Sequence, residues 1–91
     1  MTLEEKFEAA KERILTLQEK PSNDIMLKVY SLYKQGSQGD INMEAPGVFD
    51  FVAKAKYNAW EQLKGLSQDD AKMQYIELVN ELLSASSNSS E

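Results

Sequence analysis

The chain has 91 residues, with 15 acidic against 10 basic side chains, a net charge of -5, 42% hydrophobic residues and neither histidine nor cysteine. One domain of this size buries roughly 60–65% of its unfolded surface, so any ligand site is expected in a surface groove and not in a large internal cavity. Without Cys or His there is no disulfide, thiolate nucleophile, zinc-finger site, Ser-His-Asp triad or imidazole metal ligand, and the acidic balance opposes sequence-independent binding to nucleic acid.

Leu3, Phe7, Ala10, Ile14 and Leu17 recur at spacings of four and three, the pattern of a helix with one apolar stripe. Thr2 with Glu5 is a capping-box pattern and Pro21 cannot continue the backbone ladder, so helix 1 is predicted from about Leu3 to Glu19. Ser22 suits an N-cap and Asp24 favours the helix dipole, which places helix 2 over Asn23 to Gln35. Its positions Ile25, Met26, Leu27, Val29, Tyr30, Leu32 and Tyr33 wrap more than one face, predicting several packing neighbours or a ligand. From Gly36 to about Gly47 turn formers replace periodicity, and so long a connection either is functional or crosses a bundle. A helix of about 13 residues is roughly 20 Å long and a dozen extended residues reach about 40 Å, so helices 2 and 3 can run parallel. Helix 3 is predicted to begin between Val48 and Phe51 and to end at Lys64, ahead of Gly65. Ser67 and Asp70 resemble another capping box, opening helix 4 with Met73, Ile76, Val79 and Leu83 on one stripe. Residues 84–91 are polar and low in complexity, predicting a disordered tail behind a domain over 1–83. The sum is an all-α, four-helix bundle with a long helix 2 to helix 3 crossover.

Charge is uneven: residues 28–64 carry 5 basic and 4 acidic side chains, while the flanking segments are acidic. Tyr30 and Lys34 share a helical face, and of Lys54 and Lys56 one can face Lys34. These lysines are either ordinary solvated charges beside rim tyrosines, or an anion site in which phenol and ammonium groups together suit a phosphate. Asp69 and Asp70 read as the first turn of helix 4, and Asp40, Asn42 and Glu44 lack EF-hand spacing, so no metal site, cofactor or catalytic residue is expected. No apolar run approaches the roughly 20 residues of a membrane span, and Met1 to Glu5 lacks signal-peptide character, which predicts a soluble, cytoplasmic, monomeric protein without stable membrane insertion.

Pro21-Ser22, the run Leu27 to Gln35 with its Tyr-x-x-Tyr-Lys-Gln, Gly39-Asp40-Ile41-Asn42, Pro46-Gly47, Lys54-Ala55-Lys56, Ala59-Trp60, Leu63-Lys64-Gly65 and Tyr75-Ile76 closely resemble the acyl-CoA-binding protein family. The resemblance spans about Phe7 to Leu83. It implies an up-down-down-up bundle that binds long-chain fatty acyl-CoA without turnover. By similarity, Tyr30, Lys34 and Lys56 match positions that hold the 3′-phosphate of the CoA ribose. Tyr33 matches the aromatic beside the adenine, Tyr75 the tyrosine closing the nucleotide site, and Met26, Leu27 and Ala55 positions near the acyl chain. The resemblance further implies a seam of Phe7, Ala10, Ile14, Tyr75, Val79 and Leu82 between helices 1 and 4. Leu15 and Val52 stand where basic residues are common and Tyr57 where tryptophan is usual, so auxiliary phosphate contacts are expected to be weaker. Two functions are set against each other: a non-enzymatic buffer and transporter of acyl-CoA, and a helical protein-interaction module gripping a partner helix with the Tyr30/Tyr33 face.

Overall fold

The computed structural model describes residues 1–89 and contains α1 (Leu3–Arg13), α2 (Asn23–Gln38), α3 (Phe51–Glu61) and α4 (Gln68–Ser89), with a 3₁₀ turn over Ile14–Thr16 and no strand among the described residues. Each helix starts on the polar side chain that the sequence supplies. Thr2 Oγ1 accepts from the Glu5 amide at 3.1 Å while Glu5 returns a bond to the Thr2 amide at 3.0 Å. Ser22 caps the Ile25 amide, Asp50 that of Ala53 and Ser67 that of Asp70.

Contacts fix the directions. Phe7 meets Tyr75 and Arg13 Nη1 donates to Asn80 Oδ1, so α1 and α4 run parallel. Lys56 lies over Tyr30 and Trp60 bonds Gln35, so α2 and α3 also run parallel. Phe7 stacks on Tyr33 and nears Gly36 while Lys11 lies over Tyr33, so α1 and α2 are antiparallel. The topology is up-down-down-up, and the crossover that permits the parallel middle pair runs from Gly39 to Asp50.

The core is Phe7, Ala10, Val29, Leu32, Tyr75, Leu78 and Val79, with Ile14 and Leu82 packed against it, so the expected seam between the first and last helices is present. Helix α2 packs on α3 and α4 and meets α1 through the Phe7 ring at Tyr33 and Gly36, which explains its wide apolar surface. Of α3 only Trp60 is buried, and this helix packs on α2 alone. Trp60 Nε1 donates to Gln35 Oε1 at 3.1 Å and to the Gly39 carbonyl at 2.9 Å. Gln35, fully buried, donates through Nε2 to Asp40 Oδ1 at 2.9 Å and to the Leu66 carbonyl at 2.8 Å, and Asp40 Oδ1 also accepts from the Gly65 amide at 2.9 Å. This knot ties the end of α2, the crossover, α3 and the α3–α4 turn together.

Four boundaries depart from expectation. Helix 1 stops at Arg13 instead of Glu19, because the Thr16 hydroxyl takes the Arg13 carbonyl at 2.7 Å and Leu17 closes a tight turn onto Ile14. Helix 2 runs through Gly36, which is no turn: an added Cβ would lie 3.1 Å from Lys72 Cγ and 3.2 Å from the Phe7 ring, so glycine serves close packing there, and Gly39 at φ 80° ends the helix. Helix 3 ends at Glu61 instead of Lys64, since the Gly65 amide and Leu66 carbonyl are drawn into the knot and the intervening turns tighten. Helix 4 buries Ala71, Tyr75, Leu78 and Val79, with Ile76 and Leu83 packed against the core as expected, while Met73, the fourth member of the expected stripe, is 48% exposed: wedged against both α1 and α2, the helix turns a wider face inward, centred on Tyr75 and Val79. It also continues to Ser89, so residues 84–89, expected to be disordered, are helical; propagating an anchored helix by a residue costs little. Ser90 and Glu91, the end of that expected tail, lie outside the described residues.

Asp40's carboxyl is held below its ordinary value of 3.8, chiefly by the Gly65 amide and then by the Gln35 side chain. Its stabilising effect is therefore complete above that value and is lost as pH falls through the lower folded one. Asp40→Asn is expected to lower the thermal midpoint at pH 7, with the gap to wild type closing under acid below about pH 4; a gap independent of pH measured by circular dichroism contradicts the role of the carboxylate.

Candidate functional site

Between the N-terminal halves of α2 and α3 lies a groove of about 600 Å³. It exists because α3 is anchored at its far end, by Trp60, and its first turns carry no buried residue to draw them onto α2. Met26, Leu27 and Ala55 form the apolar wall together with Phe51 and Val52, and Tyr30 and Lys56 close the polar end, with Lys20 and Asn23 at the rim. Tyr30 follows Met26 by one turn and Ala55 follows Phe51 by one turn, so each helix brings its contributors to one face.

Lys56 Nζ stands 5.3 Å from the Tyr30 ring centroid, and Lys34 Nζ, one turn beyond Tyr30, stands 5.0 Å from that of Trp60. Neither lysine is paired with a carboxylate among the described residues, whereas Lys11 pairs with Glu8 and Lys72 with Glu4. Two ammonium groups are thus held over aromatic faces without a counter-charge, beside an apolar wall. Each such contact contributes roughly 0.5–1 kcal/mol at an exposed site, enough to orient a flexible lysine and too little to neutralise it. That arrangement favours the anion-site reading over that of ordinary solvated lysines.

Lys34 stands just outside the groove lining, over Trp60, and the remaining two predicted residues lie further away. Tyr33 and Tyr75 are not in the groove but form a cluster with Phe7 on the α1/α4 side: Tyr33 stacks on Phe7 at 5.6 Å and 16°, Tyr75 meets Phe7 edge-on at 5.2 Å, and the two tyrosines are 5.9 Å apart. Tyr33 is half-buried and Tyr75 is 2% exposed, so Tyr33 has the larger free surface. Lys11 Nζ lies 5.6 Å from the Tyr33 ring, and the Tyr33 phenol, followed by Glu8, raises its pKa. Lys11, Lys20, Asn23 and Phe51 were not among the predicted site residues. For Phe51 a signal existed, since it lies four positions before Ala55 on the same helical face; Lys20 precedes α2 and only the folded chain brings it to the rim.

No helix among the described residues is long and apolar enough to cross a membrane, and no group of three or more acidic side chains is placed there to hold a metal. Asp40 is engaged in the knot, which accounts for its place in the crossover without calcium.

Residues 4–79 match the family model described as acyl CoA binding protein. The chain belongs to the acyl-CoA-binding protein family. It is 48% identical over 77 residues to acyl-CoA-binding protein homolog 1 of Caenorhabditis elegans, covering 85% of this chain and 90% of that one. It is 49% identical over 76 residues to the acyl-CoA-binding protein of Dictyostelium discoideum, covering 84% and 90%. The crystal structure of Oryza sativa acyl-CoA-binding protein 2 superposes with a TM-score of 0.93 at 36% identity, over 97% of this chain and 98% of that one.

Burial, followed by the nearby Tyr33 and Glu8, pushes the Tyr75 phenol up to about 12 from 10.0. The folded state therefore keeps a proton that the unfolded state releases, and this contribution to stability is present below pH 10 and lost as pH rises toward 12. Ultraviolet titration of the tyrosines is expected to show one phenol ionising near 12 that is missing in Tyr75→Phe; four phenols all ionising near pH 10 in the native protein contradict the burial.

Proposed function

We propose that the protein is a non-enzymatic carrier that binds, buffers and transports long-chain fatty acyl-CoA esters in the cytoplasm. The observation that carries this reading is the juxtaposition in one groove of an apolar wall with Tyr30 and Lys56, and with Lys34 one turn further along α2. The family membership supplies the ligand class. Met26, Leu27 and Ala55 take the acyl chain; Tyr30, Lys34 and Lys56 take the 3′-phosphate of the CoA ribose; Tyr33 lies beside the adenine, and Tyr75 closes the nucleotide site from behind it.

The physics divides the work between the two ends of the ligand. Each methylene leaving water contributes roughly 0.8 kcal/mol, so a long chain is strongly preferred to a short one. Each charge-assisted bond to phosphate contributes roughly 1.5–3 kcal/mol, at the low end for exposed Lys56, and selects the CoA ester over a free fatty acid. Val52, 69% exposed on the groove lip, adds apolar surface where a basic residue would add charge, which shifts the balance of this site toward the acyl end. Leu15 is 77% exposed and half-buried Tyr57 is outside the groove lining, so neither departure interrupts it.

Lys34→Ala and Tyr30→Phe are each expected to weaken palmitoyl-CoA binding about tenfold by titration calorimetry, with both variants folded and Lys34→Ala losing only the few degrees of thermal midpoint that its contact with Trp60 implies. Wild-type affinity in both variants contradicts the phosphate assignment.

A further inference from the structure

The most exposed aromatic side chains of the fold gather at one lip of the groove. Phe49 is 87% exposed, Phe51 74%, Val52 69% and Val48 67%. They occupy a tight turn, closed by the Asp50 amide on the Gly47 carbonyl at 3.1 Å, and the first turn of α3. Phe51 and Val52 also line the groove, but Val48 and Phe49 do not. A phenyl ring so far out in water, serving neither the core nor the groove, has no account within the isolated molecule.

We propose that this ridge docks the protein on a lipid bilayer, with Val48 and Phe49 entering the boundary between head groups and acyl chains and the groove mouth facing the membrane. Side chains that expose this much of their surface stand proud of the fold. Such a shape suits insertion into a fluid interface better than a partner protein, whose fixed surface has to offer a complementary pocket. Charge agrees with the choice. Lys20 and Lys56 line the groove beside the ridge, neither paired with a carboxylate among the described residues, and lysines beside an apolar ridge match anionic head groups. Asp50, the carboxylate within the ridge, is turned onto the α3 N-terminus by its 3.2 Å bond from the Ala53 amide, and Glu44 lies further back in the crossover. The inference rests on the carrier reading for its consequence, which is that acyl-CoA passes between bilayer and groove along a continuous apolar lip.

The test is sedimentation with vesicles of phosphatidylcholine, with and without phosphatidylserine, in the absence of acyl-CoA, for wild type and Phe49→Ser, beside palmitoyl-CoA titrations without vesicles. Wild type is expected to partition onto the vesicles, more so with phosphatidylserine, and Phe49→Ser to lose about tenfold or more of that partitioning, as burial of one phenyl ring implies. Its thermal midpoint and its affinity for palmitoyl-CoA stay at wild-type values. Equal partitioning of the two proteins, no partitioning of wild type, or a lowered midpoint in Phe49→Ser overturns the proposal. Vesicle binding that depends on Phe49, together with no binding of palmitoyl-CoA, upholds the docking surface and removes the carrier reading.

Discussion

Everything distinctive about this fold depends on the buried amide of Gln35. Its oxygen accepts from Trp60, and its nitrogen donates to Asp40 and to the Leu66 carbonyl, so one side chain joins two helices, the crossover and the last turn. No buried side-chain polar atom among the described residues is left without a partner. The arrangement is all or nothing: each member that loses its partner in the interior costs roughly 1–3 kcal/mol, and removing a buried tryptophan costs roughly 3–5 kcal/mol, against a total stability of roughly 5–15 kcal/mol for a domain. Since α3 packs on α2 alone and buries only Trp60, the knot is what sets its position.

That constraint also makes the site. A helix pinned at its C-terminal end and unburied at its N-terminal end leaves a wedge against its neighbour, and the wedge is the groove. Lys34 lies over Trp60 near the pinned end, while Met26, Phe51 and Val52 form apolar wall at the open end, where Lys20 and Asn23 stand at the rim. The other pair, α1 and α4, carries the bulk of the core, and Phe7 and Tyr75 from that pair form a cluster with Tyr33 of α2. The core is built on α1, α2 and α4, and the groove on the side of α2 that α3 only partly covers, with Tyr75 the one core residue also assigned to the ligand.

Much of this was legible in the sequence, for identifiable reasons. Caps are local, so Thr2, Ser22 and Ser67 announced their helices, while the length of the crossover only permitted a parallel middle pair, which the family resemblance implied. The groove residues Met26, Leu27, Tyr30, Ala55 and Lys56 were legible through the family pattern, because the pattern records side chains that converge only after folding. What local rules missed was tertiary in origin. Gly36 looked like a loop residue, yet its missing side chain makes room for Phe7 and Lys72. Met73 fitted a helical stripe as well as Tyr75 did, and only packing against two neighbours decides between them. Gln35 and Asp40 read as polar residues near a turn, and nothing in their spacing reveals that they meet Trp60 and Gly65 across the fold.

The central claim is a two-ended groove in which an apolar wall and unpaired lysines act on one ligand. Calorimetric titration of the protein with palmitoyl-CoA, palmitate and free CoA, in parallel, tests it directly. The account predicts tight one-to-one binding of the ester and much weaker binding of each fragment, since neither fragment reaches both ends. Palmitate or CoA alone binding as tightly as the ester, or no binding of the ester at all, contradicts it.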